Sequence, residues 1–296
     1  MTAKRGGDGR EFRRVAETLR FRMADGTYAL GALLPSQREL AQEFRVSRDT
    51  VQRVIQELGN EGWIENRQGT RARVVKSQRI QSSTPKATRS RHPLTLGPLI
   101  SEAFEQPEVT LDVYTLTSES LDAHIRVQAE RIRTRAIAPQ RIALRMLLPS
   151  ESLPLPYPRA RHDSDNKRLR HRLHHITRRH SESLREVLRE LETERLVPSV
   201  ELEIRHTPLT PTFKLYVING AEALHSPYEV IERTIVLDGR ETIDAYDVLG
   251  VGATLTHHVK DADPTSPGSA FVASMQVWFD SVWNLLSEAP DRSGAG

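Results

Sequence analysis

The chain has 296 residues, of which 38% are hydrophobic and 27% are charged, and it contains no cysteine. This length allows two domains with separate cores, and the absence of cysteine excludes disulfides, thiolate metal sites and cysteine nucleophiles. No run of 18 apolar residues occurs, and the first ten residues have no apolar segment typical of a signal peptide, so we expect a cytoplasmic protein that does not enter a membrane.

The basic charge is concentrated in the first third of the chain. Residues 1–93 contain 19 lysines and arginines against 10 acidic residues, a net charge of +9. The remaining residues contain 23 basic and 29 acidic residues, a net charge of −6. We therefore expect a polyanion to bind at the N-terminal end only.

Residues 9–76 are predicted to form three helices and a hairpin. The first helix spans about 11–24 and has one apolar stripe. The second begins at Ser36, which stands three residues before Glu39 in the spacing of a capping box. The third is capped by Ser47, and its apolar residues recur on one helical face: Val51, Val54, Ile55 and Leu58.

A two-stranded wing is predicted to follow the third helix. Its strands are residues 63–65 and 73–75, joined by a turn at Gln68 and Gly69. Two short helices with a tight turn, followed by such a hairpin, form a winged helix-turn-helix. The alternative is a small helical bundle with a hairpin and no DNA-binding role.

The stretch from Gly26 to Gly69 resembles the winged helix-turn-helix of the GntR family of bacterial transcriptional regulators. The matching segments are G-x-Y, G-x-x-L-P-S, R-E-L-A, V-S-R-x-T-V and E-G, in this order. The resemblance covers about a quarter of the chain and implies a regulator that binds operator DNA. Two residues depart from the family pattern: Gln52 replaces the usual arginine, and Arg71 replaces the second glycine of the wing.

The resemblance also implies which residues contact DNA. It assigns a phosphate or base contact to Arg38 and a position near the minor groove to the wing residues Gly69 and Arg71. It directs the start of the third helix toward the major groove, with the residues Ser47, Arg48, Thr50, Gln52 and Arg53. A helix N-terminus attracts phosphate, arginine can donate two hydrogen bonds to guanine, and glutamine can pair with adenine.

The rest of the chain is predicted to be a linker, residues 77–108, and an α/β domain with a mixed sheet, residues 109–289. The linker is rich in Ser, Thr and Pro, whereas the domain alternates strand-like and helix-like patterns. Hairpin turns are predicted at Asn219-Gly220 and Asp238-Gly239. The layout resembles the phospholipase D-like fold found in some regulator sensor domains, and a chorismate-lyase-like domain is the alternative.

Neither catalysis nor metal binding is predicted for this domain. The phospholipase D signature His-x-Lys-x-x-x-x-Asp starts at His258 and Lys260 but has Thr265 in place of the aspartate. His171 and His175 lie one helical turn apart, as metal ligands often do, but the arginines around them repel a cation. We therefore expect no cofactor, and we expect Trp278, Phe279 and Trp283 to pack in a core or a dimer interface.

The sequence as a whole predicts an α/β protein with an N-terminal winged helix-turn-helix that regulates transcription. Its expected partners are double-stranded operator DNA, a small-molecule effector and a second copy of the chain. Two alternatives remain: a phosphodiesterase-like enzyme with a DNA-targeting domain, and a DNA-binding module whose C-terminal domain binds another protein. Because two surfaces with a charge near +9 repel each other, the closing helix of the chain is expected to hold the dimer.

Overall fold

The computed structural model describes most of the chain, namely residues 11–12, 14–16, 18–20, 22–23, 27–28, 31–60, 63–65, 71–74, 79–82, 94–162, 167–237, 242–250 and 254–288. The chain divides into two compact units, Met1–Ser77 (unit 1) and Gln78–Gly296 (unit 2). Helices and strands occur in both units, which confirms the predicted α/β class. None of the helices in the described ranges is long and apolar enough to cross a membrane.

Unit 1 is built from three helices and a short hairpin among its described residues. The described residues between 11 and 23 are helical (α1), and the further elements are Gln37–Phe44 (α2), Arg48–Asn60 (α3), Ile64–Glu65 (β1) and Arg73–Val74 (β2). The predicted capping box starts α2: the Ser36 hydroxyl accepts the Glu39 amide at 3.2 Å, and the Glu39 carboxylate accepts the Ser36 amide at 2.7 Å. The strands β1 and β2 pair antiparallel, with Ile64 opposite Val74.

The core of unit 1 is formed by one face of each helix and by the hairpin. The predicted stripe of α3 is buried in full, with Val51, Val54 and Leu58 at 0% exposure. It packs in a core that also contains Val15, Leu19, Leu34, Leu40, Phe44, Trp63 and Val74. The inner face of α3 is therefore used for folding, and its outer face is left for another role.

Unit 2 contains most of the regular structure. Its described strands are Arg79–Ser82 (β3), Leu94–Thr95 (β4), Glu108–Tyr114 (β5), Arg141–Pro149 (β6), Arg159–Ala160 (β7), Ser199–Thr207 (β8), Phe213–Ile218 (β9), Glu222–Pro227 (β10), Glu229–Val236 (β11), Thr242–Leu249 (β12) and Leu255–Val259 (β13). Its described helices are Leu96–Phe104 (α4), Glu119–Arg133 (α5), Lys167–Thr193 (α6) and Pro267–Leu285 (α7).

An eight-stranded sheet forms the centre of unit 2, in the order β4-β3-β13-β10-β9-β5-β6-β8. The pairs β5–β6, β6–β8 and β13–β3 are parallel, and the other pairs are antiparallel, so the predicted mixed sheet is confirmed. Strands β11, β12 and β7 form a second, antiparallel sheet.

Helices cover both faces of the eight-stranded sheet. One face packs against α4, α5 and α6 in the largest apolar core, which includes Leu111, Leu144 and Leu188. The other face packs against α7, where Phe279 and Trp283 are buried against the sheet residue Leu215. Phe279 and Trp283 are thus core residues of α7, which is one of the two roles predicted for them, a core or a dimer interface.

The structure differs from the predicted linker and contains one of the two predicted hairpin turns. The predicted linker, 77–108, contains β3, β4 and α4, because their apolar residues, such as Leu96 and Ile100, complete the large core. The segment 222–237 is divided between β10 and β11, which belong to different sheets. The turn at Asn219-Gly220 is present, with φ of 50° and 60°, whereas residues 238 and 239 lie outside the described residues.

Candidate nucleic-acid interface

The turn between α2 and α3 is short because α2 ends in a left-handed residue. Arg45 has φ 54° and ψ 45°, and the amide of Val46 donates to the carbonyl of Ala41 at 3.1 Å. This conformation ends a helix and redirects the chain within one residue. The next helix starts three residues later, so α2 and α3 form a helix-turn-helix.

Ser47 and Thr50 form the cap at the N-terminus of α3, with Ser47 exposed and Thr50 buried. The Ser47 hydroxyl accepts the Thr50 amide at 3.0 Å and lies 2.8 Å from the Thr50 hydroxyl. Thr50 is only 1% exposed. The structure therefore corrects the assignment of Thr50 to the DNA-facing edge: its hydroxyl stabilises the start of the helix, and a buried hydroxyl needs such a partner.

The outer face of α3 begins with exposed polar and charged side chains. Arg48, Gln52 and Arg53 are all exposed, as predicted for a DNA-reading edge. Arg53 lies 3.4 Å from the Asp49 carboxylate and over the ring of Phe12, at 5.7 Å from the centroid. Arg48 therefore stands in the first turn of α3, at the positive end of the helix dipole, where an anion is attracted, and Arg53 stands in the second turn.

Asp49 is a candidate contact that the sequence prediction missed. Its side chain is 80% exposed in the first turn of α3, between the two predicted contacts Arg48 and Gln52. A carboxylate in the major groove can accept a hydrogen bond from the amino group of cytosine. The signal was present in the sequence, since an acidic residue stood inside the stretch assigned to base reading.

A second group of charges lies where α2 approaches the hairpin. The guanidinium of Arg71 is 4.0 Å from the Glu39 carboxylate, and Arg38 is exposed on the first turn of α2. The pKa of Glu39 is lowered, first by the hydrogen bonds from Ser36 and then by the charges of Arg71 and Arg38. Glu39 is thus held as an anion between two predicted DNA-contacting arginines.

The hairpin is fixed to the segment before α2. Gly31 has φ 83°, donates its amide to the Val74 carbonyl at 2.8 Å and accepts a hydrogen bond from the Arg73 guanidinium at 2.9 Å. The amide of Leu34 donates to the carbonyl of Ala72 at 2.8 Å. These bonds hold Arg71 beside α2, whereas the predicted wing residue Gly69 lies outside the described residues.

Two arginines of α1 hold α2 in place. Arg14 donates to the carbonyl of Phe44 at 2.7 Å, at the C-terminus of α2, and Arg22 lies 2.5 Å from the Glu43 carboxylate. Arg22 also lies over the ring of Phe44, at 5.2 Å from the centroid. These two arginines join α1 to α2 and are distinct from the arginines of the candidate interface.

Comparison with known proteins identifies this part of the chain. Residues 12–74 match the family described as bacterial regulatory proteins, gntR family. Residues 12–74 form a GntR-family domain. The match covers the helix-turn-helix and the described strands of the hairpin.

The relatives of the GntR-family domain are named as regulators. The chain is 38% identical over 65 residues to the uncharacterized HTH-type transcriptional regulator YisV of Bacillus subtilis, covering 22% of this chain and 13% of that protein. It is 38% identical over 69 residues to the Exu regulon transcriptional regulator of Escherichia coli, covering 23% of this chain and 27% of that protein. It is 34% identical over 71 residues to the Glc operon transcriptional activator of the same species, covering 24% of this chain and 28% of that protein. The chain therefore spans less than a third of the length of these relatives.

A solved structure, that of the archaeal chromatin protein TrmBL2, aligns over 90% of this chain and 93% of that one. The sequence identity is 14% and the TM-score is 0.28. A TM-score this low does not indicate a common fold. The class of unit 2 is thus described by its own topology, and its predicted phospholipase D-like layout stays a prediction.

In unit 2, the residues of the incomplete phospholipase D signature and the histidine pair of α6 lie in separate places. His258 stacks on Phe271 with ring centroids 3.8 Å apart, and burial lowers its pKa. Thr265, at the position where a catalytic aspartate was sought, donates to Asp263 at 2.7 Å. His171 and His175 are exposed on α6, and no cluster of three or more potential metal ligands occurs among the described residues.

Proposed function

We propose that the protein is a DNA-binding transcriptional regulator of the GntR type that reads an operator through the start of α3. The observation that carries the proposal is the exposed N-terminus of α3, which is capped by Ser47 and presents Arg48, Asp49 and Gln52 to solvent. Arg48 would donate two hydrogen bonds to a guanine, and Gln52 would pair with an adenine. The proposal includes no catalytic step.

The direct test is a genome-wide footprint of the full-length protein compared with Arg48→Ala. We expect the wild-type protein to occupy a small number of promoter sites that share a sequence motif, and the variant to lose these sites. Matched chromatography and unfolding profiles would show that both proteins are folded. Equal occupancy by the two proteins, or binding without a shared motif, would contradict base reading by α3.

We propose that the regulator acts as a dimer held by the outer face of α7. A single winged helix-turn-helix reads too few base pairs to find one site among about 10⁶ or more competitors, so two copies on a palindrome are needed. The inner face of α7 is buried, but Val277 is 69% exposed, Leu285 is 84% exposed and Leu286 is 43% exposed. The only charged residue of α7 is Asp280, which suits a helix that is covered by a partner.

Light scattering on the full chain tests this interface. The double variant Val277→Glu, Leu285→Glu should be monomeric at tens of micromolar, whereas the wild-type protein should be a dimer. The control Val230→Glu changes another exposed apolar residue of unit 2, which is 61% exposed on β11, and should stay dimeric. The full chain is used because β3 of unit 2 precedes residue 94 and pairs with β13. A dimer that survives both glutamates would exclude the α7 face.

We further propose that unit 2 binds a small polar effector. A cavity of about 390 Å³ lies over β5, β6 and β8, a size suited to a small ligand. Its lining includes Thr110, Arg141, Glu201 and Gln276 together with Arg145, which is held by Asp112 at 2.6 Å and by Asp280 at 2.8 Å. An effector that prefers one arrangement of the dimer would change operator occupancy.

A thermal-shift screen with polar metabolites tests the effector site. A ligand of the cavity should raise the melting temperature of the wild-type protein and have a smaller effect on Glu201→Gln, which changes a lining side chain that is 62% exposed. The Glu232→Gln variant is the control, because Glu232 lies outside the lining and is 59% exposed. If no compound of the screen shifts the wild-type protein, a protein partner replaces the effector in the proposal.

A further inference from the structure

The cavity of unit 2 lies where a small side chain stands in the middle of three neighbouring strands. Thr110 on β5, Ala143 on β6 and Glu201 on β8 are side by side in the sheet, and all three line the cavity. The side chain of Ala143 ends at Cβ, and Gly220, in the turn between β9 and β10, adds no side chain to the lining. The cavity is therefore a hollow in the sheet surface that longer, charged side chains surround.

One of these charged side chains, Arg145, is held by two carboxylates. Its guanidinium donates to both oxygens of Asp112, at 2.7 and 2.6 Å, and to Asp280 on α7 at 2.8 Å. Gln276, also on α7, donates to Asp112 at 2.8 Å. Arg145 is thus the shared partner of two acidic side chains, and a carboxylate of the chain already occupies each side of its donating edge.

The second arginine of the lining is bound in the same way. The guanidinium of Arg141 donates to both carboxylate oxygens of Glu201, at 3.2 and 3.0 Å. Hydrogen bonds between a guanidinium and a carboxylate are among the stronger ones in proteins. An anionic ligand would have to displace a carboxylate from Arg141 or Arg145, so the lining does not favour an anion.

The lining has more acidic than basic side chains. It has a net charge of −1 from five ionised residues: Asp112, Glu201, Glu203, Arg141 and Arg145. Their further partners do not change this balance, because Asp280 adds one negative charge and Arg205, which donates to Glu203 at 2.7 Å, adds one positive charge. Among the described residues, only Oε1 of Glu203 has a donor, so its Oε2 can accept a hydrogen bond from a ligand.

We propose that the effector of this cavity is a small organic cation whose protonated amine binds at Glu203 and Glu201. These two residues are two positions apart on β8, so their side chains lie on the same face of the sheet. An ammonium group has three donors and no acceptor, and its positive charge would balance the surplus negative charge of the lining. A neutral polyol could form the hydrogen bonds but would leave that charge unbalanced. The inference rests on the proposed effector site of unit 2.

The test compares three compounds that have the same four-carbon chain and differ in charge. Calorimetric titration of the full-length protein would measure the binding of butane-1,4-diamine, a dication, of butane-1,4-diol, which is neutral, and of succinate, a dianion. Because charge-assisted hydrogen bonds are stronger than neutral ones, we expect the diamine to bind at least about tenfold more tightly than the diol. Succinate should not bind detectably.

Two variants of β8 locate the binding site. Glu203→Gln should weaken diamine binding by about tenfold, because it removes one charged acceptor and keeps the shape of the side chain. The matched control is Glu232→Gln on β11, since Glu232 is also an exposed strand glutamate with an arginine partner and lies outside the lining. It should bind the diamine as the wild-type protein does.

The double variant Glu201→Gln, Glu203→Gln should reverse the preference for charge. It leaves two arginines and one aspartate in the lining, a net charge of +1, and it releases Arg141 from its carboxylate partner. Succinate should then bind more tightly than the diamine. Because a damaged fold cannot create binding of a new ligand, this gain separates an effect of charge from an effect of stability.

The outcomes distinguish this inference from the proposed effector site. Succinate or the diol binding to the wild-type protein as tightly as the diamine would overturn the cation preference and leave the effector site in place. Equal diamine binding by Glu203→Gln and Glu232→Gln would also overturn the inference, since the amine would then bind elsewhere. If none of the three compounds binds, the inference is wrong, whereas the effector site fails only if the screen of polar metabolites finds no ligand either.

Discussion

The helices α3 and α7 have similar inner faces and different outer faces. In α3 the buried residues are Val51, Val54, Ile55 and Leu58, and in α7 they include Val272, Phe279, Val282 and Trp283. The outer face of α3 presents Arg48, Asp49, Gln52 and Arg53, whereas that of α7 presents Ala273, Ser274, Val277, Ser281 and Leu285. The inner faces are explained by folding alone, but the outer faces are not.

This difference shows that the exposed face of an amphipathic helix, and not its buried face, indicates the function of the helix. Charged and polar groups at a capped helix start suit an anion with hydrogen-bonding edges, and an uncharged face with exposed apolar residues suits another protein surface. The same comparison explains why the two helices are expected to respond differently to substitution.

The largest expected effect is on the inner face of α7. Phe279 is fully buried, stacks on Trp283 with centroids 5.7 Å apart and lies under the guanidinium of Arg145 at 5.1 Å. Phe279→Ala should lower the free energy of unfolding by about 3–5 kcal/mol, because it removes a large side chain from a packed core. Urea unfolding measures the change, with Val230→Ala, which truncates an exposed apolar side chain of β11, as the control. A similar loss in both variants would mean that Phe279 contributes no more to the core than an exposed side chain does.

The inner faces were also what the sequence predicted best. The period of Val51, Val54, Ile55 and Leu58 identified the buried side of α3, because only a helical face brings residues three and four apart together. The capping box at Ser36 and the turn at Asn219 were recognised for local reasons, since each depends on residues within four positions.

Features that depend on distant partners were missed. Strand β3 pairs with β13, more than 170 residues away, so nothing in its own composition marked it as a strand. The family resemblance places Thr50 on the DNA-facing edge, but the contact between its hydroxyl and that of Ser47 holds it in a buried position. The closing helix is predicted to hold the dimer, but the exposed residues Val277 and Leu285 can be identified only once the inner face of α7 is packed on the sheet.

The next prediction concerns the outer face of α3. Arg48→Ala should weaken binding to a specific operator by about 1–3 kcal/mol, because a paired contact to a base is lost. Gln56→Ala is the control, since Gln56 is exposed two turns further along the same helix. Titration on operator and on unrelated DNA measures the effect. An equal loss on both would make Arg48 a phosphate contact and not a base-reading residue.

A smaller effect is expected at the N-cap of α3, where Ser47 contacts Thr50. Ser47→Ala removes the hydroxyl that accepts the Thr50 amide and contacts the buried Thr50 hydroxyl. We expect the free energy of unfolding of unit 1 to fall by about 1 kcal/mol, as for other N-caps. Gln56→Ala on the exposed face of the same helix is the control and should change stability by less than about 0.5 kcal/mol. No loss in Ser47→Ala would mean that the cap does not stabilise α3.

The smallest expected effect is at the hairpin. Arg71 is 55% exposed and 4.0 Å from Glu39, an ion pair too exposed to contribute much to stability, so Arg71→Gly should leave the fold intact. If Arg71 contacts a phosphate, its loss should lower the magnitude of the salt slope by about 1 and weaken binding equally on all sequences. Arg195→Gln, which removes an exposed arginine of unit 2, is the control and should keep the slope. An unchanged slope for Arg71→Gly would mean that this arginine does not contact the duplex. The DNA contacts of unit 1 would then come from its helices and the rest of the hairpin.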